Sequence, residues 1–211
     1  MKGYYVFGLQ RSGTNFLEQL MKKNFGAQRR NSAKDSWKHS IDIPTGYERG
    51  APTLIIHKNP YTWVESIALR NTVDWLKTQN TYPAKEIEDD RYVIGSSPPM
   101  NIINLAKTYK HFHETWLKDE YLVISYENLL IEEKRNEALR SIQERYDFSR
   151  PKNKPWEIPQ RGSVSQSRDY NTQREEYYIQ GKPETLNHLQ IAKINFILGK
   201  DLISSMGYEV L

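Results

Sequence analysis

The sequence GLQRSGTN at residues 8–15 has the residue types and spacing of a loop that holds an anion. It directly follows a short apolar run, and its two glycines, Gly8 and Gly13, are five positions apart. A glycine-rich turn between a strand and a helix offers backbone N–H groups and the positive end of the helix to a phosphate or a sulfate. Arg11 adds a planar guanidinium and Thr14 adds a hydroxyl, both of which bind oxyanions. The loop therefore predicts an oxyanion site.

This loop differs from that of nucleotide kinases and ATPases at two positions. In those proteins a lysine follows the second glycine and contacts the phosphates, and the next residue is a Ser or Thr that holds magnesium. Here the two positions are Thr14 and Asn15. A kinase-like phosphotransferase is one alternative function, and a non-catalytic nucleotide-binding module that uses the loop without a catalytic base is another.

Strands and helices alternate along the chain. Apolar runs predict strands at residues 4–8, 53–57 and 121–125. Apolar residues at helical spacing predict helices that begin at Thr14 and Tyr61, a third at 102–116 and a last one over 186–206 that ends at Gly207. This alternation predicts an α/β fold, with a three-layer, doubly wound and mainly parallel sheet in a single domain over residues 1–211. Residues 150–183 hold four of the ten prolines and predict an ordered loop or lid.

Parallel strands bring their carboxyl ends to one edge of a sheet, where ligands bind in such folds. The polar groups at the three predicted strand ends are residues 10–14, Lys58 with Asn59, and residues 126–128. We expect all three to border one crevice.

Composition narrows the classes of function. The 211 residues include 30 basic and 26 acidic side chains, a net charge of +4. This mild excess fits an anionic ligand and is too diffuse to indicate a nucleic-acid partner. The chain has no cysteine, which excludes disulfides and cysteine ligands, and the spacing of its histidines indicates no metal site. No apolar run approaches the roughly 18 residues of a membrane span and no signal peptide is apparent, so a cytoplasmic protein is expected.

Two motifs resemble the donor site of sulfotransferases that use 3′-phosphoadenosine 5′-phosphosulfate (PAPS). RSGTN looks like their 5′-phosphosulfate loop, a basic residue followed by Ser/Thr-Gly-Thr/Ser-Thr, with Arg in place of the commoner Lys and Asn15 in place of a hydroxyl residue. HKNPYTWVES is similar to their 3′-phosphate site, where an arginine at a strand end is followed eight residues later by a serine. Lys58 and Ser66 have those positions here. ISYENLL at 124–130 resembles the family's Tyr-Glu-Asp-Leu strand end, and the last helix its closing helix.

The resemblance implies a sulfotransferase that needs no metal, takes PAPS as co-substrate and releases 3′-phosphoadenosine 5′-phosphate (PAP). It implies that the 5′-phosphosulfate is bound by Arg11, Ser12, Gly13, Thr14 and Asn15. Lys58 and Ser66 would bind the 3′-phosphate. Arg161 and Gly162 are similar to a late basic-glycine segment that closes over the same phosphate in the family.

His39 is the candidate general base. The family uses a histidine or, in some branches, a glutamate placed after the first helix, and an imidazole with an ordinary pKa near 6.5 suits this work. Lys38 and Arg11 would offset charge on the leaving phosphate oxygen. Asp35 and Glu18 are reserve bases, although Glu18 is expected to face solvent or to pair with Lys22 one turn later. The acceptor is expected to be a small molecule, a glycan or another compound with a hydroxyl or amine, bound by the segments 31–50, 79–99 and 160–180.

Overall fold

The computed structural model describes residues 3–30, 38–44, 47–67, 102–118, 120–151, 154–159 and 172–211. The strands are β1 (Gly3–Phe7), β2 (Gln28–Arg29), β3 (Thr53–His57) and β4 (Leu122–Ser125). The helices are α1 (Thr14–Phe25), α2 (60–67), α3 (Ile102–Trp116), α4 (Tyr126–Leu130), α5 (Glu132–Tyr146), α6 (Thr172–Gln180), α7 (His188–Leu198) and α8 (Lys200–Ser205). Within these ranges, none of the helices combines the length and the apolar character that crossing a membrane requires.

The four strands form one parallel sheet in the order β2-β1-β3-β4. Val6 lies opposite Leu54, and Ile55 lies opposite Val123, which fixes the register of the three longer strands. The chain leaves β1 toward β2 on one side and then returns to β3 on the other, so the direction of winding reverses between β1 and β3. The carboxyl ends of these two strands therefore border the crevice in which such sheets bind ligands. The prediction of an α/β fold with a parallel sheet is confirmed.

Apolar side chains cover both faces of the sheet and are buried there. This explains why the sequences of the strands are continuous hydrophobic runs. Tyr5 and Phe7 of β1 join a core with α3 and α7, where the ring of Phe7 stacks on Trp116 at 4.4 Å. Tyr4 and Val6 face the other side and pack in a core with α1 and α5. Each fully buried large side chain contributes about 1.5–3 kcal/mol to folding, so the two cores hold the strand ends in fixed positions.

The structure corrects three helix predictions. The last helix is not continuous over 186–206 but divides into α7 and α8, because Gly199 lies between them with φ 78° and ψ 146°, which is not helical. Helix α6 lies within residues 150–183, where an ordered loop or lid was predicted without a helix. Helix α5 was not predicted, because it is highly charged and buries only three side chains, Arg135, Leu139 and Ile142. Strand β2 was also missed, since its two residues are too few to show a period.

Candidate functional site

The loop between β1 and α1 turns sharply and packs against its neighbours. Gly13 has φ 96°, and a Cβ added there would lie 2.2 Å from Cδ2 of Tyr126. A Cβ at Gly8 would lie 2.6 Å from the carbonyl oxygen of Ile56 on the adjacent strand. Arg11 also has a left-handed backbone, with φ 68°. Both glycines are therefore required by close approach, and Gly13 also by its conformation.

The start of α1 presents polar groups that suit an oxyanion. Its first hydrogen bonds run from Phe16 and Leu17 to the carbonyl of Gly13, at 3.0 and 3.1 Å. The N–H groups of residues 13–15 consequently have no acceptor within the helix. Ser12 is 1% exposed, and its hydroxyl has no hydrogen-bond partner among the described residues. A buried hydroxyl without a partner is costly, so a bound anion would satisfy a group that the fold by itself does not.

Two contacts from other elements fix the loop. The indole of Trp63 on α2 donates to the carbonyl of Gln10 at 2.8 Å. The N–H of Gly8 donates to the carbonyl of Lys38 at 3.0 Å. Because Trp63 is fully buried, the first contact cannot shift without disturbing the core, and the loop is held in one conformation.

His39 lies beside the start of the loop as a neutral imidazole. Its Nδ1 is 2.7 Å from the carbonyl oxygen of Gly8, so Nδ1 carries the proton and Nε2 carries the lone pair that a base needs. The pKa of His39 is lowered to about 4, mainly by burial; the hydrogen bond to Gly8 opposes this shift, and the cations of Lys38 and Arg29 add to it. The prediction of an ordinary imidazole pKa is therefore wrong for this conformation.

Lys38 reaches the loop. Its ammonium contacts Oδ1 of Asn15 and lies 3.2 Å from Oε1 of Glu18. Nε of Arg29 lies 3.4 Å from the same carboxylate oxygen. The prediction that Glu18 pairs with Lys22 is wrong, because the fold brings two cations from other segments to this carboxylate. The structure thus brings Lys38 next to Asn15, where the resembled family has a hydroxyl.

Lys58 follows β3 and is buried, with 2% of its surface exposed. Its Nζ lies 3.6 Å from the ring centroid of Tyr178 and 5.6 Å from that of Tyr126, the residue that packs against Gly13. Aromatic faces stabilise a cation, most strongly where water is excluded. A buried positive charge therefore lies one strand away from the loop.

Ser66 lies on α2 and is also largely buried. Its hydroxyl donates to the carbonyl of Trp63, one turn earlier, at 2.8 Å. The proton of Ser66 is therefore used within its own helix in this conformation, and its oxygen keeps lone pairs that can accept a hydrogen bond.

A buried carboxylate holds the end of β3 in position. Oε1 of Glu127 accepts the N–H of Asn59 at 2.9 Å. Oε2 accepts the hydroxyls of Ser125, at 2.8 Å, and of Tyr208, at 2.9 Å. The Tyr208 oxygen also lies 3.1 Å from Nδ1 of His57, so the buried His57 has a polar partner in the core. The chain on either side of Lys58 is thus tied to β4 and to the C-terminal segment.

Three candidates lie outside the described residues, and one neighbour of Lys58 was not predicted. Arg161, Gly162 and Asp35 lie outside the described residues. Tyr126 belongs to the predicted strand end at 126–128, and its ring lies 5.6 Å from Nζ of Lys58, as expected for ends that border one crevice. Tyr178 was not predicted as a neighbour of Lys58, because it is far from it along the chain and no local pattern relates the two. Only the packing of α6 against the end of β3 brings Tyr178 to Lys58.

Comparisons with protein-family models, with curated proteins and with solved structures found no match to this chain. In the part of the chain that the structure describes, no three His, Asp or Glu side chains are grouped so that they could hold a metal ion. The function of the site has to be inferred from its own geometry.

Proposed function

We propose that this protein transfers a sulfuryl group from PAPS to a hydroxyl or amine acceptor and releases PAP. The observation that supports it best is the presence of two separate anion-binding features where the sheet reverses its winding. One is the loop before α1, whose N–H groups at residues 13–15 have no acceptor within the helix and which carries the buried Ser12 hydroxyl. The other is the buried ammonium of Lys58 on the neighbouring strand. A nucleotide with phosphates at both the 5′ and 3′ positions of ribose uses both features, whereas ADP uses only the first.

In this proposal the loop binds the phosphosulfate end of the donor. Its ligands are the N–H groups of residues 13–15 together with the side chains of Arg11, Ser12, Thr14 and Asn15. Lys58 donates to the 3′-phosphate, and the oxygen of Ser66 completes that site after its hydroxyl proton turns away from Trp63. We also propose Arg161 and Gly162 for the 3′-phosphate, on the resemblance alone.

His39 acts as the base in the same proposal. Its Nε2 takes the proton of the acceptor while the acceptor oxygen or nitrogen bonds to sulfur and the bond from sulfur to the bridging phosphate oxygen breaks. Lys38 and Arg11 offset the negative charge that remains on that phosphate oxygen. The pKa of His39 should rise from about 4 when an anion lies in the loop, because the anion offsets the repulsion from Lys38 and Arg29.

Calorimetry with PAP and ADP, without metal, tests the donor. The wild type should bind PAP more tightly than ADP. Lys58→Ala should weaken PAP binding about tenfold to a hundredfold, the effect of one charged hydrogen bond, and should leave ADP binding unchanged. Lys107→Ala, which removes an exposed lysine of α3, is the matched control. A preference for ADP, or an equal loss of both nucleotides in Lys58→Ala, would contradict the proposal.

Turnover tests the chemistry separately from binding. His39→Ala should still bind PAP but should lose sulfate transfer, and full activity in this variant would rule out His39 as the base. A wild type that binds PAP and transfers no sulfate to phenols, glycans or amines would be a nucleotide-binding module. Magnesium-dependent turnover of ATP would instead support the kinase alternative.

A further inference from the structure

Helix α6 covers the cation that we propose as the 3′-phosphate site. The ring of Tyr178 lies 3.6 Å from Nζ of Lys58 and packs edge-on against Tyr126, with ring centroids 5.6 Å apart. The turn after α6 packs tightly against Asn59, the residue after Lys58. A Cβ added at Gly181 would lie 2.8 Å from Nδ2 of Asn59. A phosphate oxygen must come within about 2.7–2.9 Å of Nζ to bind it. Lys58 is only 2% exposed and the Tyr178 ring lies on its ammonium, so a phosphate that approaches Nζ from the side of α6 requires Tyr178 to move.

A carboxylate on α2 holds the end of α6 in place. Glu65, itself buried, accepts hydrogen bonds from the hydroxyl of Tyr177, the N–H of Glu184 at 3.2 Å, and both the N–H and the hydroxyl of Thr185, the latter at 2.5 Å. Burial by itself would raise the pKa of Glu65, but the hydrogen bonds from Thr185 and Tyr177 lower it below its usual value. The carboxylate is therefore charged at neutral pH and tied to the segment that carries Tyr178.

We propose that Tyr178 is an autoinhibitory plug on Lys58 and that Glu65 is the latch that keeps the plug in place. This inference rests on the proposed function, because it takes Lys58 as a phosphate-binding group. The Tyr178 ring gives the ammonium a favourable electrostatic contact on the side of α6, and a bound phosphate would replace this contact. When only a fraction of molecules is open, the apparent affinity falls by that fraction. Weakening either the plug or the latch should therefore expose Lys58 and tighten phosphate binding.

Three substitutions separate these roles. Glu65→Gln keeps the size of the latch, but its NH2 group cannot accept the two hydrogen bonds made to the carboxylate oxygen that it replaces. Tyr178→Leu removes the aromatic face and keeps an apolar side chain, whereas Tyr178→Phe keeps the face and should behave as the wild type. Glu133→Gln, at an exposed position of α5, is the control for the loss of one carboxylate.

Two measurements on the full chain report whether Tyr178 covers Lys58. The first is the rate at which an amine-acylating reagent modifies Lys58, read by mass spectrometry with the other lysines as internal standards. The second is the Kd for PAP from calorimetry. We expect Glu65→Gln and Tyr178→Leu to raise the labelling rate at least about tenfold and to lower the Kd at least about tenfold. Glu65→Gln loses the two charged hydrogen bonds at one carboxylate oxygen, and Tyr178→Leu loses one desolvated cation–π contact.

The outcomes distinguish the plug from the proposed donor. Unchanged labelling of Lys58 in both variants would overturn the plug, whatever nucleotide binds. Faster labelling with weaker PAP binding would also overturn it, because α6 would then be a clamp on the bound nucleotide. Faster labelling in variants that bind no PAP would support the plug and contradict the donor. Thermal unfolding checks that the variants fold, and if Glu65→Gln does not, the comparison of Tyr178→Leu with Tyr178→Phe decides.

Discussion

Two histidines buried behind the loop should make this protein sensitive to acid. His57 and His113 are 6% and 1% exposed, with ring centroids 5.7 Å apart. The Nδ1–H of His113 donates to the carbonyl of Tyr109 at 2.7 Å, and its Nε2 has no hydrogen-bond partner within the described ranges. Burial lowers the pKa of His57 to about 4, and burial and then the neighbouring His57 lower that of His113 to about 3. Both rings are therefore neutral in the folded protein at pH 7.

The size of the effect follows from proton linkage. In the unfolded chain His113 binds a proton with its ordinary pKa of 6.5, whereas the folded state binds it only near pH 3. Between these two values the unfolded state binds more protons, so the free energy of unfolding decreases as the pH falls below about 6.5. At pH 5 each buried histidine costs about 2 kcal/mol, or about 4 kcal/mol for the pair. That is a large part of the roughly 5–15 kcal/mol by which domains are stable.

Urea unfolding of the wild type and of His113→Gln, at pH 7 and at pH 5, measures how much stability the buried His113 removes at low pH. The glutamine amide can keep the hydrogen bond to Tyr109, and the comparison between the two proteins cancels the contributions of the carboxylates. The wild type should lose about 2 kcal/mol more than His113→Gln between the two pH values. The matched control is His188→Gln, which removes an exposed imidazole. Equal losses in the wild type and His113→Gln would refute the reasoning.

Three further substitutions test the scaffold. Gly13→Ala should lower the free energy of unfolding by about 1–3 kcal/mol because of the left-handed backbone alone, and by more because the new Cβ displaces Tyr126. Calorimetry should also show weaker PAP binding in this variant. Unchanged PAP binding would contradict the requirement for glycine in the loop. Asn24→Leu should lower the free energy of unfolding, measured with urea, by about 1–3 kcal/mol, because Asn24 makes two hydrogen bonds to the backbone of residue 157. A change below about 0.5 kcal/mol would argue that these two hydrogen bonds contribute little. Tyr208→Phe should cost a similar amount by removing a donor to the buried Glu127, and an unchanged melting temperature would show that the contact contributes little.

Local patterns predicted the elements that surround the site. The apolar runs identified β1, β3 and β4, and helical spacing identified α1 and α3. These predictions succeeded because the hydrophobic pattern of a strand or a helix lies within a short stretch of neighbouring residues. The glycines of the loop were equally informative, since the backbone conformation of Gly13 is a local property. Elements with a weak local pattern were missed or misplaced: α5 is highly charged, and Gly199 interrupts the last helix.

The environment of each candidate residue was not predictable in the same way. The pKa of His39 depends on its burial and on cations from two other segments, and the partners of Glu18 come from residues that are distant along the chain. The aromatic cover of Lys58 likewise depends on where α6 packs. Such contacts join residues that are far apart along the chain and have no regular spacing, so no local sequence pattern predicts them.

The sequence by itself therefore determined the parallel α/β framework and the glycine loop that opens α1, because both follow from short-range backbone and hydrophobic preferences. The tertiary structure decided that Lys58 is buried beneath Tyr178, that Glu65 ties down the end of α6, and that His39 is a neutral base candidate beside Gly8. These features arise from desolvation and from charge at short distance, which exist only after distant segments have packed together.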